Sequence, residues 1–239
     1  MISDITVIIL LYKTPEKLLK NFKVLKKFKI ILLDQSNDKI VKKKLLKILP
    51  NITHYTVRSD NLGFSKGINE LIKKVKTKYF FCIQPDVKIN AKSIYDLKKT
   101  YIKNEKEAAI VVPKISNFTK FNKKKKGSVF LVDKMIGATF FGDKKKFIKL
   151  GMFDEDFFFY WEDMELSNRI ENSSYKIILN PKVKVSHNNG TSSIPNFKSD
   201  FMRTSNFIFG ELLFDYKIKK FRIIKPLRKI LINIFFLVI

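Results

Sequence analysis

The sequence predicts an α/β fold in which helices flank a single, mostly parallel sheet. Three observations predict it. Apolar, β-branched runs of strand length recur along the chain, segments of about twelve residues with helical spacing lie between them, and Pro, Asn, Asp and Gly punctuate the joins. Strands alternating with helices in this way build βαβ units, a Rossmann-like arrangement whose strands are buried on both faces.

Residues 5–11 are a continuous apolar run, the first strand. Thr14-Pro15-Glu16 then opens a helix, with Thr14 placed to cap and Pro15 suited to the first turn. That helix reaches to about residue 28, with Leu18, Leu19, Phe22 and Leu25 on one face. Residues 30–33 are the second strand, ending at Asp34, and a helix over 39–49 and a short strand at 55–57 follow. Residues 64–76 read as helix, 79–83 as a buried strand, 93–103 as helix and 109–112 as strand. An exposed polar loop is expected over 114–128, and mixed strand and turn over 130–141. Short helices at 144–150 and 162–172 bracket the aromatic stretch 153–161, and strands at 177–179 and 183–185 complete a globular domain placed at 1–194. Residues 195–239 form a basic, apolar C-terminal tail.

Composition narrows the function classes. The chain has 239 residues, 45% of them apolar, which is enough for one sizeable core. A single cysteine excludes an intrachain disulfide framework and fits a reducing compartment. Residues 1–4 lack a basic leader, and the run at 5–11 is too short for a signal peptide, so the expected location is the cytoplasm. The net charge of +26 is the anomaly. Only Arg58, Arg169, Arg203, Arg222 and Arg228 are arginine among the 48 basic residues. A bias to Lys, Ile, Asn and Phe is what an AT-rich genome produces; the other source of such charge is a polyanionic partner, best an anionic membrane surface. A nucleic-acid-binding protein remains a reading from charge alone, and the scarcity of arginine and lack of a recognition motif speak against it.

In open α/β sheets ligands bind beyond the carboxyl ends of strands. The residues there are Tyr12, Asp34, Asn61-Leu62-Gly63 and Gln84-Pro85-Asp86. Gly63 and Gly67 flank a helix start where a diphosphate could approach backbone N–H groups. Asp86 follows a buried strand and suits a hard divalent ion, or else caps the next turn; His187, after the last strand, could share that ion. Glu162, Asp163 and Glu165 crowd the start of one helix behind five aromatic residues, 157–161. Acids favour that position through the macrodipole, and Glu165 can pair with Arg169, yet a carboxylate beside an apolar cleft can also serve as a general base. Cys82 reads as a small core residue, and His54 has no constellation around it.

In this order the residues resemble the inverting family 2 glycosyltransferases, which have the A-type nucleotide-sugar fold. The resemblance spans about 5–193. It runs from Asp34 through Asn61-Leu62-Gly63-Phe64 with Gly67 and Asn69, to Gln84-Pro85-Asp86-Val87. It continues with Gly151-Met152-Phe153-Asp154-Glu155, Phe159-Tyr160-Trp161-Glu162-Asp163, Leu166 and Arg169, and closes with His187, Gly190 and Ser192. Within the family the chain is most similar to bacterial rhamnosyltransferases. The resemblance implies a nucleotide-diphosphate sugar donor, such as dTDP-rhamnose, bound by Tyr12, Asp34, Asn61, Gly63, Gly67, Asn69 and Asp86. It implies Mg²⁺ or Mn²⁺ held by Asp86 and His187, a catalytic base at Asp163 with Glu162 beside it, and an acceptor side at Gly137, Tyr160 and Trp161. Two positions depart from the family: Leu11-Tyr12-Lys13 replaces Thr-Tyr-Asn, and Gln84 supplies no carboxylate to the ion. Gln84 is also the warrant for an alternative, an inactive sugar-nucleotide binding module.

The tail adds a partner. Lys217, Lys219, Lys220, Arg222, Lys225, Arg228 and Lys229 precede the apolar residues 230–239. Spanning a bilayer takes about twenty apolar residues, so this pattern describes an interfacial segment, or a helix docked on the core. The expectation is a peripheral enzyme on the cytoplasmic face of the inner membrane, meeting a lipid-linked or polysaccharide acceptor.

Overall fold

The computed structural model describes residues 4–116, 123–126, 129–187 and 197–219. The elements are β1 (Ile5–Leu11), a 3₁₀ helix (Glu16–Leu25), β2 (Lys29–Asp34), α1 (Lys39–Ile48), β3 (Ile52–Val57), α2 (Gly63–Lys74), β4 (Tyr79–Ile83), β5 (Val87–Lys88) and α3 (Ala91–Lys103). They continue with β6 (Ala108–Ile115), β7 (Lys123–Lys126), β8 (Val129–Val132), β9 (Thr139–Asp143), α4 (Lys144–Lys149), α5 (Glu162–Glu171), β10 (Lys176–His187) and α6 (Phe197–Lys217). Among the described residues the strands form one sheet in the order β3-β2-β1-β4-β9-β6-β10-β8-β7, with β5 against β10. Pairing is parallel through β3-β2-β1-β4 and between β6 and β10. Antiparallel β9 is inserted between β4 and β6.

Helices cover both faces, which is why the central strands read as unbroken apolar runs. Side chains alternate across a strand, so β4 sends Tyr79, Phe81 and Ile83 to one core and Phe80 and Cys82 to the other. The first core lies under the 3₁₀ helix, α1 and α3, through residues such as Phe22, Leu45 and Leu97. The second lies under α2, α4 and α5 and contains Phe80, Phe140, Phe147 and Phe153, whose packed rings lie 5.3–5.9 Å apart. Local capping agrees with the packing: the side chains of Asp38, Asn90 and Asp143 accept backbone N–H bonds at the starts of α1, α3 and α4.

Three elements differ from expectation. The first helix is 3₁₀ and ends at Leu25, without a Thr14 cap; its buried residues Leu19, Phe22 and Leu25 recur every third position, the 3₁₀ period. The region expected as loop over 114–128 contributes the end of β6 and the lysine strand β7, which pairs β8. A sheet edge made of lysines resists further strand pairing. The two short strands expected at 177–179 and 183–185 are one strand, β10, whose register shifts between Asn180 and Lys184. Asn180 Oδ1 accepts N–H bonds from Lys182 and Val183 across that irregularity. No helix among the described residues is long and apolar enough to cross a membrane.

Candidate active site

Strand direction decides which residues meet. β1, β2, β4 and β10 all end at one edge of the sheet, and antiparallel β9 begins there. Tyr12, Gln35, Gln84 and His187, which follow or end those strands, therefore share a cavity of about 660 Å³ with Gly137, just before β9. Asn61 and Gly63, the segment 158–164 and one side of α6 complete its wall.

The acidic pair opens α5. Asp163 Oδ2 accepts the Gly137 N–H at 3.0 Å, and Oδ1 accepts the Met164 N–H at 2.9 Å. The loop before β9 is tied to the same helix, because Met135 N–H donates to Ser167 Oγ, whose hydroxyl donates to Asp163 C=O. Burial raises the carboxyl pKa of Asp163 above its ordinary value, while the two backbone N–H bonds oppose the shift. Glu162 is buried more completely, at 5% exposure, and its Oε2 has no hydrogen-bond partner. Burial, and then the neighbouring Asp163 charge, push Glu162 well above the usual carboxylate range. Glu165 turns away and forms a two-bond fork with Arg169 at 2.7 Å, as the i, i+4 spacing predicts. Arg169 also donates to the carbonyls of Leu150 and Met152, so this pair fastens the 150–152 turn and does not line the cavity.

β5 brings the second pair together. Val87 lies opposite His187 in the short β5–β10 ladder, which sets Asp86 beside the imidazole. His187 Nε2 is 3.5 Å from Asp86 Oδ1. Asp86 is 2% exposed, and neither of its carboxylate oxygens has a hydrogen-bond partner; His187 Nδ1 has none either. A buried carboxylate without donors is costly, and a divalent cation ligated by oxygen and imidazole would remove that cost. The two residues therefore fit such an ion. Gln84 lines the cavity next to them. Among the described residues no group of three or more His, Cys, Asp or Glu side chains could enclose a metal alone.

The other residues expected at the donor side separate into two groups. Tyr12, Asn61 and Gly63 line the cavity. Asp34, Gly67, Asn69 and Asp86 are not in its wall. Asp34 Oδ1 accepts from the Ser36 N–H and hydroxyl, and Oδ2 from the Asp38 N–H and the Tyr55 hydroxyl, so its carboxylate holds the turn after β2. The neighbouring Gln35 faces the cavity instead; its amide bridges the Leu62 N–H and the Gly63 carbonyl. Gly67 packs on Leu10, with a Cβ there 2.7 Å from a Leu10 methyl carbon. Asn69 is consumed in holding Phe153 N–H, Phe153 C=O and Glu155. Gly67 thus packs against β1, and Asn69 ties α2 to the Phe153 turn by hydrogen bonds. Gly63 is different: its φ of +80° and a Cβ position 2.3 Å from the Phe158 carbonyl admit only glycine.

Tyr160 and Trp161 both line the cavity, and both have φ of 72°, rare for bulky residues and a form of stored strain common at binding sites. α6 holds them there. Gly210 lets the helix approach so closely that a Cβ would lie 2.9 Å from the Tyr160 carbonyl. Phe207 meets both rings at 5.7 Å, Phe214 meets Trp161 at 5.5 Å, and Lys217 bonds Asp154 and Asp156 at 2.6 Å each. Met202, Arg203, Asn206 and Phe207 thereby enter the cavity wall. Sequence reasoning placed no site residue on this segment, although Arg203, one of five arginines in a lysine-rich chain, was a signal. Gly190 and Ser192 lie outside the described residues.

Comparison with known proteins agrees with this geometry. No curated protein matches the chain in sequence. GalNAc-T7, solved with UDP, GalNAc and Mn²⁺, aligns with TM-score 0.66 at 17% identity, over 80% of this chain and 45% of that one. The mannosyltransferase PcManGT from Pyrobaculum calidifontis, solved with GDP-Man and Mn²⁺, aligns with TM-score 0.65 at 11% identity, over 92% of this chain and 65% of that one. Residues 1–349 of S. aureus TarS align with TM-score 0.64 at 12% identity, over 90% and 65%. The chain thus spans about half to two thirds of the length of these proteins. Their shared architecture is the A-type glycosyltransferase fold. The family model described as glycosyl transferase family 2 matches residues 6–165, from β1 through the first turn of α5, and on that match the chain belongs to glycosyltransferase family 2.

Proposed function

We propose that this chain transfers a sugar from a nucleotide-diphosphate donor to a hydroxyl of a lipid-linked or polysaccharide acceptor, with inversion at the transferred carbon. dTDP-rhamnose is the donor to test first, on the resemblance to rhamnosyltransferases. The observation that carries the reading is one cavity whose wall holds both a candidate base, Asp163, and His187, beside which the buried Asp86 carboxylate has no hydrogen-bond partner. Solved relatives of the same fold bind UDP or GDP-Man with Mn²⁺, which supports a similar donor here.

Each residue then has a task. Tyr12, Asn61 and Gly63 line the donor side, with Gln35 fixing the Asn61–Gly63 turn. Asp86 and His187 would hold Mg²⁺ or Mn²⁺, which when bound neutralises charge on the departing diphosphate. Asp163 takes the proton from the acceptor hydroxyl as that oxygen attacks C1 of the sugar. Tyr160 and Trp161 offer flat faces to the acceptor rings. The enzyme works at the cytoplasmic face of an anionic membrane, drawn there by its charge and by residues of the 195–239 segment.

A thermal-shift series with UDP-, dTDP- and GDP-sugars, with and without Mn²⁺, tests the reading, because a ligand that binds only the folded state raises its stability. One donor should raise Tm, and EDTA or Asp86→Ala should abolish the rise. Should EDTA leave donor binding and turnover untouched, the metal assignment is wrong.

A further inference from the structure

The acid pair holds more than a base. Glu162 and Asp163 are adjacent carboxyls at one cavity wall, and their surroundings differ. Asp163 receives two backbone N–H bonds, donors that favour its ionised form. Glu162 Oε2 is sealed from solvent without a hydrogen-bond partner, and burial outweighs the backbone N–H groups of Glu162 and Tyr160 that favour the ionised form. Its Oε1 lies beside Gly137, where a Cβ would sit only 3.5 Å away; the missing side chain keeps that edge of the cavity open.

We propose that Glu162 stands in this wall as a neutral carboxylic acid and donates a hydrogen bond from Oε1 to an acceptor hydroxyl next to the one that Asp163 deprotonates. The ligand class is a sugar carrying neighbouring hydroxyls. The inference rests on the transferase reading for its substrate half, while its protonation half concerns the protein alone.

The charged surroundings agree. On α5 the adjacent group is Asp163, whose negative charge disfavours a second one. In the preceding turn Tyr160 is neutral at working pH, its phenol pushed up by burial, and Arg203 of α6 acts on that phenol. Phe64 of α2 and Gly137 before β9 bring no charge to the Oε1 side. Two acids in one site whose environments differ take different protonation states, the neutral one serving as donor and the ionised one as base.

Linkage supplies a test without substrate. A glutamate whose folded pKa exceeds its unfolded value of about 4.3 stabilises the fold at low pH, and that stability is lost as pH rises toward the folded value. The Tm of the parent should therefore fall, relative to Glu162→Gln, as pH rises above about 4.3. The infrared spectrum of the parent at neutral pH should show a protonated carboxyl C=O stretch that Glu162→Gln lacks. A carboxyl band unchanged by the substitution, or parallel Tm curves, would overturn the proposal. With p-nitrophenyl glycosides as acceptors, Glu162→Ala should raise acceptor KM about tenfold or more, and Glu162→Gln, which keeps a donor, should raise it less. If Glu162→Gln loses turnover as severely as Asp163→Asn, Glu162 acts in its ionised form and the proposal fails. If the parent transfers to no acceptor, the transferase reading is what suffers, and the infrared and Tm results still decide the protonation state.

Discussion

At Asp163 the backbone does what a neighbouring cation does in other sites. The Gly137 and Met164 N–H groups hold its two oxygens, fixing the carboxylate in place and opposing the upward pull of burial on its pKa. On the proposed reading of Asp163 as the base, these bonds fix a geometry that survives loss of its charge. Asp163→Asn can keep the Gly137 bond through its amide oxygen, so the variant should fold and bind donor as the parent does. It cannot accept a proton, and loss of a general base costs on the order of 10²- to 10⁴-fold in rate. Transfer at more than about a third of the parent rate would contradict the assignment of the base to Asp163. Asp86 and His187 differ in kind, since they face each other at 3.5 Å while neither Asp86 oxygen nor His187 Nδ1 has a hydrogen-bond partner. Replacing either should leave folding intact and weaken donor binding only in the presence of divalent metal.

Among the elements, α2 and the 157–161 segment are coupled through a single glycine. The Phe64 N–H donates to the Phe158 carbonyl at 2.7 Å, and Gly63 leaves no space for a side chain at that crossing. Gly63→Ala adds a positive-φ strain of roughly 1–3 kcal/mol and pushes α2 from the aromatic segment that positions Tyr160 and Trp161. Chemical denaturation should show a loss of at least that size, together with a reduced donor-induced rise in Tm. Gly67→Ala is the control: its Cβ would meet only the movable end of Leu10, at ordinary φ, so its effect should be smaller. These elements also show what a sequence reveals. β1 and β4 are legible because burial on both faces leaves an unbroken apolar run. The Asp86–His187 pair is legible because strand ends converge at one edge, and the acid pair because it opens a helix directly behind an aromatic run. The 3₁₀ helix is missed because an apolar residue at every third position also lies within an α-helical stripe. Asn69 and Asp34 are expected at the donor side, and the structure gives their side chains partners at Phe153 and the Ser36 turn that only the tertiary structure supplies. The inward role of α6 was hidden because its aromatic and basic composition fits a membrane segment and a docked helix equally well.

For the whole molecule, α6 presents two unlike faces. Its inner face, with Phe207, Gly210, Phe214 and Lys217, packs on the aromatic segment. Its outer face leaves Phe197, Phe201, Phe209 and Tyr216 at 89, 64, 57 and 70% exposure, spread along the helix. Four exposed aromatics on one face of a helix are more than scattered surface residues, and aromatic side chains suit the interface of a bilayer. On the proposed membrane reading, the net charge of +26 would supply the attraction to anionic lipid, each nearby lysine contributing about 1 kcal/mol until salt screens it. The two contributions respond differently to salt, which makes them separable. The full chain should co-sediment with vesicles of phosphatidylglycerol and phosphatidylcholine, and not with phosphatidylcholine alone. Raising ionic strength to about 1 M, where the screening length is about 3 Å, should remove most of that binding and leave a residue due to the aromatic face. Phe201→Glu with Phe209→Glu should abolish the salt-resistant residue while Tm and donor binding stay at parent values, because neither side chain belongs to the cavity wall. If the double variant binds as the parent does at every salt concentration, the aromatic face plays no part and lysine charge alone brings the enzyme to the membrane.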